Sequence, residues 1–238
     1  MKYFFYALCL SAIFMLGSCG SCVTGTGAVQ EEERILQEFT AITLNCSADV
    51  IIRDRIMDEK NKVVIKAQPN ILPLITAKVS GGELKLDIEG CTSTSEAIEI
   101  WVYVDDISKI SNEGSGNIIS ENALHADRFE VNHNSSGNMQ LIIKANRVDV
   151  NQDGSGKIKL DGNANMIDID HSSSGECDAM ALHAEEAKVN LNGSGNVSVF
   201  ASKEMDLRLD GSGSILYGGK PGKLNTKDDG SGEIHEAQ

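Results

Sequence analysis

Ser194 lies between two glycines in the stretch NLNGSGNVSV (residues 190–199), a setting in which a serine can act as a nucleophile or a loop can bind phosphate. The sequence contains neither the G-x-S-x-G motif of a nucleophile elbow nor the G-x-x-x-x-G-K-[ST] motif of a phosphate loop. Alternating apolar residues, typical of strands, follow the glycines, so no helix N-terminus is available to bind an anion. A structural role therefore explains Ser194 better.

The Gly-Ser-Gly pattern recurs through the second half of the chain every 18 to 21 residues. Its central serines are Ser115, Ser136, Ser155, Ser174, Ser194, Ser212 and Ser231. Each serine is followed directly by a glycine, namely Gly116, Gly137, Gly156, Gly175, Gly195, Gly213 and Gly232. A catalytic serine is needed once, whereas a bend is needed in every repeat. These residues are therefore predicted to form the structural corners of a repeat fold.

Each repeat predicts a strand, a corner, a second strand and a short connection. Apolar residues alternate before the corner, as in Val148 and Val150, and after it, as in Ile158 and Leu160, which is typical of half-buried strands. About 19 residues fit one coil of an all-β parallel β-helix, whose coils stack about 4.8 Å apart. Glycine is expected in the corners because it adopts positive φ and because it lets the backbone of the next coil approach closely.

The N-terminal region, residues 34–112, shows the same pattern in degenerate form. Ser47 and Gly81 are predicted corner centres, with alternating apolar residues after each. The longer spacing between these centres leaves room for an additional strand per coil, and the segments KVVIKA and IEIWVYV are the candidates. A small separate β-domain is the alternative for this region.

The regular repeats occupy residues 113–238. In the last repeat the inward positions become polar, with Thr226 and Glu236. A polar final coil is expected to cap the solenoid, because an exposed apolar coil would invite pairing with other strands.

The cysteines do not predict a metal site. Cys22, Cys46, Cys91 and Cys177 lack C-x-x-C spacing and neighbouring histidines. In an oxidising compartment outside the cytoplasm, Cys46 is predicted to pair with Cys91, and unpaired buried cysteines are the alternative.

Acidic and histidine residues recur at fixed positions relative to the corners. His133 and His171 both lie three residues before the serine, but they are two coils and about 10 Å apart. They are therefore too distant to share a zinc ion and are expected at the surface. Acidic residues two positions before the serine are predicted to cap the turn rather than to bind calcium, and these are Glu113, Asp153, Asp210 and Asp229. No metal or cofactor is predicted.

Residues 1–18 contain one charge, Lys2, and the apolar run YFFYALCLSAIFML, which predicts an export signal rather than a membrane span. The sequence LGSC at residues 16–19 resembles a bacterial lipobox. It predicts lipid attachment at Cys19 and contact with a membrane through that anchor; ordinary cleavage that leaves Cys19 as a thiol is the alternative. The small, polar and acidic residues 19–33 are predicted to form a flexible tether.

The charge of the chain limits its partners. The formal net charge is −14, and removal of Lys2 with the signal leaves 20 − 35 = −15. This sign repels phosphate backbones, so nucleic acid is not an expected partner.

The repeated GSG corners, the segments FTAITL and ADVIIRD, and the closing GSGSILYGGKPGKLNTKDDGSGEI together resemble the putative auto-transporter adhesin, head GIN domain family of bacterial envelope proteins. The resemblance covers residues 35–235. It implies a right-handed β-helix and an envelope location, often as a lipoprotein, but it identifies no ligand and no catalytic residues. Ser135 and Ser173 replace corner glycines, so looser packing of the coils is expected there.

The sequence therefore predicts a lipid-anchored binding or structural module of the cell envelope, at the outer membrane, that contacts a surface glycan or an envelope protein. A carbohydrate-active enzyme of the β-helix type is the alternative. Such an enzyme needs clustered acids, a basic residue and aromatic sugar platforms. Arginines are few, and the only tryptophan, Trp101, lies in an alternating strand where a place in the core is expected. The prediction is a protein without a catalytic site.

Overall fold

The structure is a computed structural model that describes residues 22–55 and 59–237. The predicted signal peptide and Cys19 lie outside the described residues. Within the described residues, no helix is long and apolar enough to cross a membrane. Helical structure in this part of the chain is confined to a 3₁₀ turn at Leu72–Leu74.

Strands make up most of the described chain. They are β1 (Val23–Thr24), β2 (Gln30–Ile35), β3 (Ala41–Leu44), β4 (Asp49–Arg53), β5 (Lys62–Ala67), β6 (Ile75–Ser80), β7 (Glu83–Ile88), β8 (Thr92–Ser93), β9 (Glu99–Tyr103), β10 (Lys109–Asn112), β11 (Ile118–His133), β12 (Met139–Gln152), β13 (Lys157–His171), β14 (Glu176–Leu191), β15 (Asn196–Leu209), β16 (Ser214–Gly218), β17 (Lys223–Asp228) and β18 (Glu233–Glu236).

The long strands β11 to β15 contain the repeats, and each pairs in parallel with the next along the chain. The pairing joins equivalent repeat positions. Ile118 lies opposite Met139 after the corner, and Val131 lies opposite Val150 before it. Val150 in turn lies opposite Ile169. The chain is therefore a β-solenoid of stacked parallel coils of about 19 residues, which confirms the predicted fold class.

The alternating apolar residues of all coils form one core. Val148 and Val150 before the corner and Ile158 after it are buried, as their period of two predicts. The buried cluster extends from Phe39 in the N-terminal region to Ile215 near the last coil. Full burial of such a side chain stabilises a protein by about 1.5–3 kcal/mol, so the stacked aliphatic columns provide the main stabilisation.

The N-terminal strands join the same sheet, but not in chain order. β3 lies between β10 and β7, with Ile42 opposite both Ile110 and Leu84. β4 likewise lies between β11 and β9. Residues 41–53 therefore form a coil that is inserted between coils built from later residues. The region 34–112 continues the solenoid and is not a separate domain.

One of the two N-terminal corner assignments is wrong. Ser47 lies between β3 and β4, at the corner of its coil. Gly81 instead forms, with Gly82, the turn of the antiparallel β6–β7 hairpin, where φ is 62° and 79°. Leu84 accordingly lies in the column before the corner, not after it. Alternating leucines follow a hairpin turn and a corner alike, so the pattern could not distinguish them.

Antiparallel strands cover the N-terminal end of the solenoid. The segment KVVIKA forms β5, which pairs antiparallel with β9 and with β2. The segment IEIWVYV contains β9, which pairs in parallel with β4. β6 pairs antiparallel with β7 at the end of the main strand order. The parallel stack therefore ends in antiparallel pairs at this side.

The prediction of a flexible tether over residues 19–33 is wrong for its described part. β1 pairs with β8, and β2 pairs with β5, whose lysines form ion pairs with glutamates of β2. Cys22 forms a disulfide with Cys91. The expected Cys46–Cys91 pair is also wrong, because Cys46 lies in the corner of the inserted coil, whereas Cys91 lies beside β1. Cys46 and Cys177 are buried outside disulfides, and burial raises the pKa of their thiols to about 11 and about 12.

The final coil is polar. All six residues of β17 are exposed. Thr226 and Asp228 stack on the buried Leu207 and Leu209, and Glu236 stacks on Tyr217. Polar and charged side chains at inward positions disfavour pairing of this edge with another sheet.

The corner glycines are needed because they allow successive coils to pack closely. The other reason expected for them, a positive φ, is wrong. None of the Gly-Ser-Gly glycines is among the glycines with positive φ in the described residues. A Cβ at Gly195 would lie 2.0 Å from the carbonyl oxygen of Gly175 and 2.6 Å from Nε2 of His171. A Cβ at Gly213 would lie 1.7 Å from the carbonyl oxygen of Gly195. The second glycine of each corner therefore packs directly on the corner of the preceding coil.

The two corners that contain Ser135 and Ser173 differ in their hydrogen bonds. The hydroxyl of Ser135 accepts from the amide of Gly137 (3.0 Å), and that of Ser173 accepts from the amide of Gly175 (3.2 Å). In the following corner, by contrast, the amide of Gly156 donates to the backbone oxygen of the preceding coil (3.1 Å). At these two corners, the amide of the second glycine therefore bonds a serine hydroxyl within the corner instead of a backbone oxygen of the preceding coil.

A buried column of side chains lies beneath the corners, three residues before the serine, and it is polar in four coils. In four coils its side chain bonds the carbonyl oxygen of the second corner glycine: Asn112 to Gly116 (2.8 Å), His133 to Gly137 (2.9 Å), Gln152 to Gly156 (2.8 Å) and His171 to Gly175 (3.0 Å). Leu191 and Leu209 occupy the column in later coils and are also buried. This column supplies donors to inward-facing carbonyls, because buried polar groups require partners.

The expected surface position of the two histidines is therefore wrong. His133 and His171 are 1% and 0% exposed. Burial lowers the pKa of both imidazoles, although the bonds to Gly137 and Gly175 and the charge of Asp153 near His171 oppose the shift. The amide of Ser173 donates to Nδ1 of His171 (3.3 Å), so that nitrogen is unprotonated and this imidazole is neutral. At His133, burial likewise disfavours the charged form.

Replacement of Gly195 by valine is expected to lower the free energy of unfolding by more than about 1 kcal/mol, because the side chain would overlap the backbone of the preceding corner. Denaturant unfolding measures the change. Ser194→Ala is the matched control in the same corner, and its exposed side chain should change stability by less than about 0.5 kcal/mol. An unchanged midpoint for Gly195→Val would contradict this account of the corner.

The stability of the protein is expected to fall as the pH decreases below about 6.5, the usual pKa of an unfolded histidine. The unfolded chain then binds protons that the buried His133 and His171 do not bind, so the unfolded state is favoured. The free energy of unfolding should change by at most about 1.4 kcal/mol per histidine for each pH unit. Urea unfolding between about pH 5 and pH 7.5, above the range in which carboxylates titrate, measures it.

The double variant His133→Leu, His171→Leu is the matched control, since the chain itself places leucine at this column in later coils. It is expected to lose this pH dependence, even where its stability at neutral pH is lower. An equal slope in the variant and the original protein would show that other groups cause the effect.

Candidate binding faces

The seven corner serines form an exposed file along the solenoid. The hydroxyl of Ser231 donates to Ser212 (3.1 Å). Within the described residues, no imidazole forms a hydrogen bond with any of these seven hydroxyls. His171 bonds the carbonyl oxygen of Gly175 through Nε2 and the hydroxyl of the neighbouring Ser173 through Nδ1 (3.2 Å). The arrangement is that of repeated corners, without the base that a nucleophilic serine requires.

The acidic residues of the corners do not converge on a metal site. Over residues 22–55 and 59–237, no group of three or more His, Cys, Asp or Glu side chains could hold a metal ion. Asp229 forms an ion pair with Lys227 within its own coil. Among the described residues, none of these four acids accepts a hydrogen bond from a corner amide, so turn capping by them stays a prediction; in the last corner the amide of Gly230 donates to the carboxylate of Asp228 instead (3.0 Å).

The outward side chains before the corners form what we call the charged face, built from β10 to β14. Asp149 accepts hydrogen bonds from Arg128 (2.6 Å) and Arg147 (2.6 Å). Arg147 also donates to Asp168 (2.8 Å), which lies 3.5 Å from Lys188. A shallow cavity of about 320 Å³ opens here, lined by Arg128, Glu130, Asp149, Val150, Asn151, Asp168 and Asp170.

The charged face gathers the acids and bases that a polysaccharide-cleaving enzyme would need on one sheet. Its charges, however, are paired between neighbouring coils. Hydrogen bonds from Lys109 and Asn132 lower the pKa of Glu130, whereas a general acid requires a raised pKa. The face is therefore suited to holding coils together.

A second outward surface, which we call the aromatic face, lies on the N-terminal sheet. Trp101 lies opposite Val64 on one side and Ile51 on the other, and Ile51 lies opposite Ile119. The side chains of Trp101, Val64 and Ile51 are half-buried, and that of Ile119 is 40% exposed. The expected place of Trp101 in the core is therefore wrong, because the inward residues of its strand are its two neighbours in sequence.

Cations border the aromatic face. The guanidinium carbon of Arg53 lies 3.8 Å from the ring centroid of Trp101, and Nζ of Lys66 lies 4.6 Å from it. Lys62 lies 5.4 Å from the ring centroid of Tyr103. Such contacts stabilise by about 0.5–2 kcal/mol each.

The carboxylates around these cations neutralise them. Glu121 accepts from Arg53 (2.5 and 2.8 Å), and Glu31 lies 3.0 Å from Lys66. Arg53 and Lys66 come from the strands on either side of Trp101, so cations cover the ring. The aromatic face therefore offers an apolar band with charged borders and no open ring for a sugar to stack on.

Sequence reasoning did not find this face. Its signal was present in the outward positions of IEIWVYV and KVVIKA, which hold an aromatic residue and lysines. The face exists only because β5 pairs antiparallel with β9, and the repeat pattern did not predict that pairing.

Solved structures with the same fold come from species of Bacteroides and Parabacteroides. The crystal structure of a putative adhesin from Bacteroides fragilis shares 23% identity and a TM-score of 0.84, over 90% of this chain and 100% of that one. The crystal structure of a putative lipid binding protein from Parabacteroides distasonis shares 22% identity and a TM-score of 0.74, over 92% of this chain and 100% of that one. A putative adhesin from Parabacteroides merdae shares 19% identity and a TM-score of 0.69, over 92% and 100%.

No curated protein matches the sequence significantly. The family model described as putative auto-transporter adhesin, head GIN domain matches residues 38–221, which is most of the chain and includes both faces. The chain therefore belongs to the putative auto-transporter adhesin, head GIN domain family.

Proposed function

We propose that the chain is an exported lipoprotein of the bacterial outer membrane, attached through Cys19, whose solenoid is an adhesin-like binding module without a catalytic site. Membership of an adhesin family supports a role at the cell surface or envelope. The signal-like residues 1–18 and the lipobox-like LGSC sequence support export and acylation. An acylated cysteine carries several chains, which is what stable anchoring requires.

The aromatic face is the observation that carries the binding function. It combines tryptophan, tyrosine and arginine beside an apolar band, which is the composition enriched at the energetic centres of protein interfaces. Because cations cover the ring of Trp101, the face suits a protein partner better than a glycan.

Catalysis has weaker support. The charged face forms only a shallow cavity, its acids and bases neutralise each other, and the pKa of Glu130 is shifted away from that of a general acid. Turnover of an acidic polysaccharide by the purified protein would contradict the proposal.

Trp101→Ala is expected to abolish saturable binding of the purified solenoid to isolated envelopes, because it removes the centre of the aromatic face. Co-sedimentation with the envelopes measures the binding. Phe200→Ala is the matched control, since Phe200 is a half-buried outward aromatic residue on a distant coil. Unaltered circular dichroism of both variants shows that the fold is intact.

Two treatments of the envelopes identify the class of partner. Protease treatment should remove binding, whereas periodate oxidation of glycans should not. Loss of binding after periodate alone would replace the protein partner by a glycan. Equal binding of Trp101→Ala and the original protein would show that the aromatic face is not the contact surface.

Cys19→Ser is expected to abolish incorporation of labelled fatty acid in the native host, because the variant lacks the thiol that is acylated. Cys22→Ser is the control, since Cys22 lies three residues away and is oxidised in the disulfide. Label that persists in Cys19→Ser would refute the anchor.

A further inference from the structure

The first described residues are fixed to the terminal coil of the solenoid. Cys22 is bonded to Cys91, and the amide of Val23 donates to the carbonyl oxygen of Cys91 (2.8 Å). The side chain of Asn70 accepts from the amide of Thr26 (2.8 Å) and donates to the carbonyl of Thr24 (2.8 Å). The chain thus leaves this end of the solenoid at Cys22 and not at the end of a free tether.

The distance from this point to the predicted anchor is short. Only Gly20 and Ser21 lie between Cys19 and Cys22 in the sequence, and the three residue steps from Cys19 to Cys22 span at most about 11 Å when fully extended. A lipid at Cys19 would therefore hold the terminal coil close to the bilayer surface.

The same end carries exposed apolar side chains. Five large hydrophobic residues are exposed in the described part of the chain, and three of them lie between residues 23 and 35: Val23 (41%), Val29 (42%) and Ile35 (56%). Apolar side chains beside an acyl anchor add to membrane affinity by burial at the interface.

We propose that the N-terminal coil of the solenoid rests against the lipid surface, that the Cys22–Cys91 disulfide holds it there, and that the coils stack away from the membrane. This inference rests on the proposed anchor at Cys19. Eight intervals separate the terminal coil, which contains β7, from the final coil, which contains β17. At about 4.8 Å per interval, the far end stands roughly 40 Å above the near end.

Energy transfer to a membrane tests the inference with the full acylated lipoprotein in vesicles of phosphatidylethanolamine and phosphatidylglycerol that contain a headgroup-labelled acceptor lipid. A donor is attached through a non-natural amino acid at Ser95, in the terminal coil, or at Ser231, in the last corner; both residues are exposed. Strong transfer from Ser95 and near-background transfer from Ser231 is expected. Equal transfer from both positions would show that the solenoid lies flat, and weak transfer from both would show a long tether. Either result overturns the inference.

Two variants test the short connection. Ten Gly-Ser residues inserted between Gly20 and Ser21 leave the disulfide intact and should reduce transfer from Ser95. The double variant Cys22→Ser, Cys91→Ser should reduce it as well, since the connection can then extend to β2. Unchanged transfer in the insertion variant overturns the short connection, and unchanged transfer in the double variant overturns the role of the disulfide. Failure of the protein to be acylated or to bind vesicles refutes the anchor itself, and with it this inference, and is recognised before any transfer is measured.

Discussion

The close contact between the corners of successive coils is the constraint on which the rest of the structure depends. At the glycine that follows the serine in each of the seven corners, a Cβ would lie 1.7 to 2.5 Å from a backbone oxygen of the preceding coil. This contact allows only one register of each coil relative to the next. A shift by one residue would exchange the inward and outward side chains, so the corner fixes both the aliphatic core and the outward faces.

The contact at the corner also explains why polar side chains lie in an aliphatic core. In four coils, amide or imidazole side chains bond the inward carbonyl of the second glycine from below. At Gly156 and Gly175, a backbone amide of the next coil bonds the same oxygen as well. These side chains also fill the space that a Cβ of the next coil would require, as His171 does beneath Gly195. The side chains of the buried column therefore pack where they do because the next corner has a glycine and no Cβ.

The repeat predicted the fold because each coil contacts only its neighbours, so a local period determines the pairing of β11 to β15. It failed where pairing partners are distant or antiparallel. Ile42 pairs with Ile110, which is separated from it by an intervening hairpin and an entire coil. Neither the Cys22–Cys91 disulfide nor the outward position of Trp101 follows from alternation, which gives the two faces of a strand but not the side on which the core lies.

The departures from the repeat are concentrated at one end, and this concentration bears on function. The disulfide, the antiparallel strands and the aromatic face all belong to the N-terminal coils, whereas the later coils repeat one solution with little change. A regular stack needs none of these additions beyond a cap. If the N-terminal coil rests on the membrane, the aromatic face lies in the coils nearest to the lipid. Its partner would then be a protein of the same envelope that reaches it beside the membrane, and the later coils would act as a rigid extension above that contact.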